Sequence, residues 1–102
     1  RFYPVMFTPA SGAKFGGQKC SGVFIIVTDR GLLRPVRLGL EVASALVRLH
    51  GDAFTLEDAA ALFGSKAMLS RVRTGEDPAA IADAWRADDT KWRATRAPYL
   101  LY

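Results

Sequence analysis

The strongest constraint on the fold is a helical periodicity between residues 36 and 50. One face carries mostly apolar side chains at intervals of three and four residues: Val36, Gly39, Leu40, Ala43, Leu46, Val47 and His50. The opposite face is polar: Arg37, Glu41, Ser44 and Arg48. Pro35 suits the first turn of a helix, and Gly51 suits the position just after its end. The pattern predicts an amphipathic helix over Val36–His50 with one face on a core.

Two segments near the start of the chain have the composition of β-strands. They are Phe2–Thr8 and Val23–Thr28, and a glycine-rich loop from Pro9 to Gly22 joins them. Val23–Thr28 is apolar on both faces, which is typical of a central strand covered on both sides. The short apolar segment Tyr99–Tyr102 predicts a third extended piece added to the same sheet.

Helix-start signals recur in the second half of the chain. Thr55 precedes two acidic residues, Ser65 can cap a short helix, and Asp77 stands before a proline. The last helix is expected over Pro78–Thr95, with an apolar stripe made of Ile81, Trp85 and Trp92. The sequence therefore predicts an α+β fold. A small mixed sheet of about three strands is covered by the Val36–His50 and Pro78–Thr95 helices.

Length and composition limit the class of protein. The chain has 102 residues, enough for one domain, and 50% of them are hydrophobic, so a core can form. No apolar run approaches the roughly 20 residues that span a bilayer. The single cysteine, Cys20, excludes an intrachain disulfide and leaves the compartment open. The chain begins with a predicted strand that has no lead-in, which suggests a fragment of a longer protein, whereas the apolar C-terminal residues suggest a genuine end tucked back into a core.

The charge is unevenly distributed. The net charge is +4, and residues 1–50 carry seven Arg or Lys against only Asp29 and Glu41. This basic half could face an anionic partner such as nucleic acid, a wall polymer or a carboxylated sugar. Ordinary surface charge is the alternative, because the basic residues are scattered rather than clustered.

Catalytic machinery is sparse. A glycosidase needs two carboxylates that face each other, whereas the adjacent Asp88 and Asp89 point in different directions on a helix. Asp29 follows a predicted strand, where it is either one carboxylate of a site or a turn-forming residue. His50 is the only histidine. We therefore predict no catalytic residue in this chain, no metal site and no cofactor.

The loop between the two strands is the best candidate for ligand contact. Ser11–Lys19 has glycines and a lysine, but it lacks the Gly-Lys-Ser/Thr ending and the following helix of a phosphate-binding loop. It can present Lys14, Phe15, Gln18 and Lys19 at the edge of a cleft, or it can be a simple mobile connection. Trp85 and Trp92 could stack on sugars or bases, with core packing as the alternative.

Several stretches, taken in order, resemble one family. They are Phe7-Thr8-Pro9, Lys14-Phe15-Gly16-Gly17-Gln18, Cys20-Ser21-Gly22-Val23, Val27-Thr28-Asp29-Arg30, Arg34-Pro35-Val36-Arg37-Leu38-Gly39-Leu40 and Arg96-Ala97-Pro98-Tyr99-Leu100-Leu101-Tyr102. Together they resemble the C-terminal domain of the exo-β-N-acetylmuramidase family (NamZ-type), formerly a domain of unknown function. The chain differs in the loop, where the family often has Ser-Lys-Tyr in place of Ala13-Lys14-Phe15.

The resemblance implies a bacterial two-domain glycoside hydrolase. Such an enzyme releases N-acetylmuramic acid from the non-reducing ends of peptidoglycan fragments, as in cell-wall recycling. Its Rossmann-like N-terminal domain would carry the catalytic residues and is absent from this chain. Residues 1–102 would then be one accessory domain that packs against the catalytic domain and helps form the cleft.

Several expectations follow from the resemblance and the loop. The substrate-binding candidates are Lys14, Gln18 and Asp29, and the fragment alone is expected to be inactive. The partners are the N-terminal domain and peptidoglycan fragments, with no nucleic acid and no membrane span. The localisation is unknown, and a periplasmic or secreted protein is one expectation. The alternatives are a stand-alone binding module for anionic polymer and a structural interaction domain without ligand.

Overall fold

A computed structural model describes residues 1–101 of the chain. The chain divides into two compact units, Arg1–Leu33 and Arg34–Tyr102. The first contains the strands and the second contains the helices. The predicted α+β class is thereby confirmed.

The first unit, called here the hairpin unit, is an antiparallel β-hairpin. Strand β1 (Phe2–Phe7) pairs with β2 (Cys20–Ile25), and the register runs from Phe2 opposite Ile25 to Phe7 opposite Cys20. Because side chains alternate along a strand, each face carries large apolar groups from both strands. One face has Phe2, Met6, Val23 and Ile25, and the other has Tyr3, Val5, Phe7 and Phe24.

The second strand lies earlier in the chain than the sequence predicted. It begins at Cys20 rather than Val23 and ends at Ile25 rather than Thr28. Gly22 suggested a loop, but it lies within the strand opposite Val5, and the Phe7 ring fills the space where a side chain would stand. A Cβ at Gly22 would stand 2.7 Å from an atom of that ring.

The prediction of a central, covered strand was wrong. Within the described residues the sheet has two strands and is purely antiparallel, so neither strand is central. The side chains of Val23 and Phe24 are 63% and 58% exposed. A strand that is apolar on both faces is expected to contact apolar residues on both sides. The sequence pattern does not indicate which part of the protein supplies those residues.

The predicted third strand was also wrong in its described part. Ala97–Tyr99 forms a 3₁₀ turn, and Leu100 and Leu101 belong to no strand. Pro98 cannot donate a backbone hydrogen bond, and the Leu100 N–H turns back to the Ala97 carbonyl at 3.3 Å. Leu101 is 96% exposed, which contradicts an end tucked into the core. Tyr102 lies outside the described residues.

The second unit, called here the helical unit, contains five α-helical segments in its described part. They are α1 (Pro35–His50), α2 (Ala60–Phe63), α3 (Lys66–Arg73), α4 (Pro78–Ala84) and α5 (Arg86–Arg96). The amphipathic helix predicted over Val36–His50 is confirmed as α1. Two of the three predicted caps are present: Ser65 Oγ accepts from the Met68 N–H at 3.3 Å, and Asp77 Oδ1 accepts from the Ala79 N–H at 3.0 Å.

Two helix predictions required correction. Thr55 precedes a 3₁₀ turn at Leu56–Ala59, and its side chain makes no capping bond. The helix predicted over Pro78–Thr95 is divided at Trp85, whose N–H bonds the Ala82 carbonyl at 3.3 Å in a tightened turn. Beyond that point none of the residues of α5 is buried, so no core contact keeps the two helices in line.

The core of the helical unit lies between α1, α3 and α4. Seven buried residues form it: Leu40, Ala43, Leu56, Met68, Leu69, Val72 and Ile81. Trp85 and Phe63 pack against them from the edge. A fully buried aliphatic side chain contributes about 1.5–3 kcal/mol, so this cluster supplies the main stabilisation of the unit. No helix in the described part of the chain is both long and apolar enough to cross a bilayer.

Candidate functional site

The loop between β1 and β2, residues 8–19, is held by its own backbone and is called here the hairpin loop. Its N–H groups bond carbonyls within the loop over 2.8–3.1 Å: Ala13 to Ala10, Gly16 to Ala13, Gly17 to Pro9, and Gln18 to Phe15. A loop whose backbone groups are paired in this way has a defined shape. The side chains that it carries are therefore displayed on a fixed frame.

Two adjacent glycines allow this shape. A Cβ at Gly16 would lie 2.5 and 2.6 Å from the carbonyl oxygens of Ser11 and Ala10, closer than any side chain can approach. Gly17 has a φ of 74°, in the left-handed region that glycine adopts without steric cost. These two glycines thus allow the close packing and the backbone turn on which the shape of the loop depends.

Phe15 is the exceptional residue of the hairpin loop. Its φ is 62°, the one positive value among the non-glycine residues of the described chain. A bulky residue in this region carries strain, and strain of this kind concentrates at functional positions. The ring is 57% exposed, and Lys14 Nζ lies 5.5 Å from its centroid. The loop therefore presents an ammonium group and an aromatic ring side by side.

Lys14 and Gln18 lie on the same loop, whereas Asp29 lies on a different one. Lys14 and Gln18 are both exposed on the hairpin loop, which precedes β2. Asp29 belongs to a different turn, after the other end of β2. Its Oδ1 accepts from the N–H groups of Gly31 at 2.8 Å and Leu32 at 3.2 Å. This is the turn-forming arrangement typical of aspartate, and it engages one oxygen of the carboxylate.

Several acidic residues of the helical unit are engaged in ion pairs with arginines. Glu57 pairs with Arg73, Asp83 with Arg86, and Asp89 Oδ2 with Arg93 Nε at 2.8 Å. Within residues 1–101, no group of three or more His, Cys, Asp or Glu side chains converges to hold a metal ion.

One ion pair alters the acidity of its members. Arg71 Nε donates to Glu76 Oε2 at 2.6 Å, and a second guanidinium nitrogen donates to the other carboxylate oxygen. The hydrogen bonds from Arg71 lower the pKa of Glu76, and those bonds raise the pKa of Arg71. The pair connects the end of α3 with the segment before α4, so its role is structural.

A second candidate site was not anticipated from the sequence. A cavity of about 590 Å³ lies beside the start of α1 and the α4–α5 turn. It is called here the arginine cleft, and it is lined by Arg34, Pro35, Val36, Arg37, Ala82, Asp83, Trp85, Arg86, Asp89 and Arg93. The lining has four arginines and two aspartates. A signal was present in the sequence, since Arg34 and Arg37 flank a helix start and Arg86 and Arg93 are seven residues apart on one helix.

The two tryptophans have different environments. Trp85 is half-buried, packs against the core and also lines the arginine cleft. Trp92 is 60% exposed, and it lines neither of the two cavities that Trp85 lines. Of the two alternatives drawn from the sequence, core packing applies to Trp85 but not to Trp92.

Comparison with known proteins gives one finding that identifies the family. A family model described as "Exo-beta-N-acetylmuramidase NamZ, C-terminal" matches residues 1–102. The chain belongs to this family. The resemblance seen in the sequence motifs is confirmed over the whole chain, and the NamZ C-terminal description implies a larger protein with an N-terminal domain. Neither the curated proteins nor the solved structures include a match.

Proposed function

We propose that this NamZ C-terminal domain is an accessory domain that forms one wall of the substrate cleft of a bacterial exo-β-N-acetylmuramidase. The Rossmann-like N-terminal domain would hold the catalytic residues and release N-acetylmuramic acid from non-reducing ends of peptidoglycan fragments during cell-wall recycling. The observation that carries the proposal is the family match over residues 1–102. The ion-paired carboxylates of the helical unit support an accessory rather than a catalytic role.

The hairpin loop is the part proposed to face the substrate. Its backbone is fixed by internal hydrogen bonds, and it holds Phe15 in a strained conformation with an exposed ring. Such a loop can meet a ligand without first becoming ordered, which lowers the entropic cost of binding. An aromatic ring next to a lysine suits a sugar that also bears a carboxylate, because the ring contacts the sugar face and the ammonium attracts the acid.

Each of the three candidate residues has a proposed role. The Lys14 ammonium would meet the lactyl carboxylate of N-acetylmuramic acid, and the Gln18 amide would bond a polar group of the same sugar. Asp29 has one carboxylate oxygen engaged by the turn at Gly31 and Leu32, so only its other oxygen would accept a hydroxyl. Its role would be the smallest of the three.

The apolar faces of the hairpin unit are proposed to dock on the N-terminal domain. The hairpin unit exposes Phe2, Tyr3, Met6, Phe7, Val23, Phe24 and Ile25 on its strands. Half-exposed side chains of this size present roughly 100 Å² each, so together they approach the 800 Å² per partner of a stable interface. Residues 1–33 hold four basic residues against Asp29 alone, so the complementary surface would be apolar with an acidic rim.

The test of the loop is kinetic and uses the full-length enzyme. Lys14→Ala should lower kcat/KM for a muramic acid glycoside by about 1–3 kcal/mol of transition-state binding, because a charged hydrogen bond is lost. An N-acetylglucosamine glycoside lacks the lactyl carboxylate and should lose much less. Lys66→Ala removes the same charge from α3 and serves as the matched control. Equal losses of kcat/KM on both glycosides, or no loss on either, would show that Lys14 does not bind the lactyl carboxylate.

A second experiment tests the accessory role itself. The 102-residue chain is incubated with a chromogenic N-acetylmuramic acid glycoside, and no turnover is expected. Turnover that Asp29→Asn abolishes would make this domain catalytic and would overturn the proposal. A steep salt dependence of polymer binding by the chain would instead favour a stand-alone binding module for anionic polymer.

A further inference from the structure

Helix α5 carries an aromatic stripe that the core of the helical unit does not use. Trp92 lies near the middle of α5 and is 60% exposed, and Tyr99, in the turn that follows α5, is 81% exposed. Trp85 lies at the start of α5 and is half-buried. The three residues are seven apart, which is close to two helical turns, so their positions fall along one side of the helix.

This side of α5 has the properties of an interaction surface. Every residue from Arg86 to Leu101 is exposed, so the helix leaves the core and presents its aromatic side chains to solvent. Large apolar side chains that are exposed together mark sites of association. The proposed function assigns contact with the N-terminal domain to the hairpin unit, so the aromatic stripe of α5 needs a different partner.

The charges beside the stripe are arranged symmetrically about Trp92. Asp88 precedes Trp92 by four residues and Arg96 follows it by four, so both are its neighbours on the same side of the helix. Among residues 1–101, neither Asp88 nor Arg96 forms an ion pair, whereas Asp89 is paired with Arg93 at 2.8 Å. One acidic and one basic side chain therefore remain available at equal distances from the central tryptophan.

A second copy of α5, running antiparallel and crossing at Trp92, complements this pattern. Asp88 then lies opposite the partner's Arg96, and Trp85 lies opposite the partner's Tyr99. The arrangement has two-fold symmetry, so each of these contacts occurs twice. A parallel pair would instead place each charge beside the same charge of its partner, which is unfavourable. The charge pattern thus selects both the partner and its direction.

We infer that α5 is a self-association surface, through which two copies of the protein form an antiparallel helix pair centred on Trp92. The aromatic rings supply the apolar contact, and the ion pairs fix the direction and register. The partly exposed rings and the stems of the charged side chains offer roughly 400 Å² per copy, about half of the 800 Å² that a stable interface buries. The dimer is therefore reversible and is populated at high protein concentration.

The experiment exchanges the charges and uses the full-length enzyme. Asp88→Arg puts a second guanidinium opposite the partner's Arg96, and Arg96→Asp puts a second carboxylate opposite the partner's Asp88. Each variant alone should therefore dimerise at least roughly tenfold more weakly than the wild type. An equimolar mixture of the two variants restores two pairs of opposite charge and should dimerise like the wild type. Sedimentation velocity from about 10 to about 500 µM measures all four samples.

Two further variants test the role of the stripe itself. Trp92→Ala removes the central aromatic contact and should weaken dimerisation at least roughly tenfold. Lys66→Asp reverses a charge on the exposed start of α3, outside the stripe, and should leave the dissociation constant unchanged. Far-UV circular dichroism reports that the helices of each variant are retained.

Three results would overturn the inference. They are a wild-type enzyme that stays monomeric up to about 500 µM, a mixture that dimerises no better than its two components, and a Lys66→Asp effect as large as that of Arg96→Asp. Association through another surface, such as the apolar faces of the hairpin unit, would be equal in the single variants and in their mixture. None of the changed residues lies on the hairpin loop, so the Lys14→Ala kinetics remain a separate test of the proposed function.

Discussion

The hairpin unit and the helical unit are both rich in large apolar residues but use them in opposite ways. The helical unit buries seven residues between α1, α3 and α4. In the hairpin unit, none of residues 1–33 is buried, although four of the six phenylalanines lie there. The hairpin unit is ordered by backbone hydrogen bonds, whereas the helical unit is ordered by backbone hydrogen bonds and a core.

This difference shows that regular structure and burial are separate properties. A two-stranded hairpin alone is marginally stable in water, because each strand gains one row of hydrogen bonds and no packed face. Exposed apolar patches of this kind mark interaction sites. The family description implies a larger protein with an N-terminal domain, and the proposed function assigns the apolar surface of the hairpin unit to contact with that domain.

The largest effect should come from the core of the helical unit. Leu40→Ala removes a fully buried side chain from α1 and should lower the free energy of unfolding by about 2–5 kcal/mol. Leu49→Ala makes the same change on the same helix, where the side chain is 73% exposed, and should cost less than about 1 kcal/mol. Urea denaturation followed by far-UV circular dichroism measures both. Equal losses would show that α1 does not pack as described.

A smaller and more local effect is expected in the hairpin loop. Gly16→Ala forces a Cβ against two backbone carbonyls and should destabilise the loop by about 1–3 kcal/mol. Gly12→Ala is the matched control, because a Cβ there meets nothing within 4 Å. Amide hydrogen exchange at Gly17 and Gln18 should accelerate in the first variant only, with the helices unchanged. Unaltered exchange in Gly16→Ala would contradict the internal hydrogen bonding of the loop.

The smallest effect concerns the Arg71–Glu76 pair of the helical unit. Arg71 lowers the pKa of Glu76 in the folded chain, so the unfolded chain binds a proton at this carboxyl more readily. The resulting stabilisation is complete above the unfolded pKa of about 4.3 and is lost as the pH falls through the lower folded pKa. Glu76→Gln should therefore lower Tm modestly at neutral pH and converge with the wild type in acid.

Glu41→Gln provides the control for this measurement. Its partner Arg37 lies 3.5 Å away in an exposed pair, so the variant should change Tm very little at any pH. A Glu76→Gln deficit that stays constant from about pH 7 to about pH 3 would show that the ion pair does not cause it.

The sequence predicted the elements that local rules control. α1 followed from its periodicity, and the caps at Ser65 and Asp77 followed from their side-chain chemistry. The errors arose where distant residues decide the outcome. Gly22 lies in β2 with the ring of Phe7, fifteen residues away, packed over it, and beyond the break at Trp85 none of the residues of α5 is buried.

In the candidate sites, too, local features could be predicted from the sequence and features set by distant residues could not. The hairpin loop could be recognised from its glycines and lysines, and its strained Phe15 could not, because φ is set by the hydrogen bonds of the whole loop. Asp29 was open to two interpretations, and the structure shows the hydrogen bonds of the turn-forming one. The arginine cleft combines residues 34–37 with residues 82–93, and only the packing of α1 against α4 brings them together.

The central claim is that the helical unit supplies its own core while the hairpin unit depends on the N-terminal domain. Amide hydrogen exchange, measured on the 102-residue chain and on the full-length enzyme, tests it most directly. We predict equal protection of α1 in both samples, and protection of β1 and β2 that is roughly tenfold or more greater in the full-length enzyme. Strand amides that are as strongly protected in the isolated chain as in the full-length enzyme would contradict the claim.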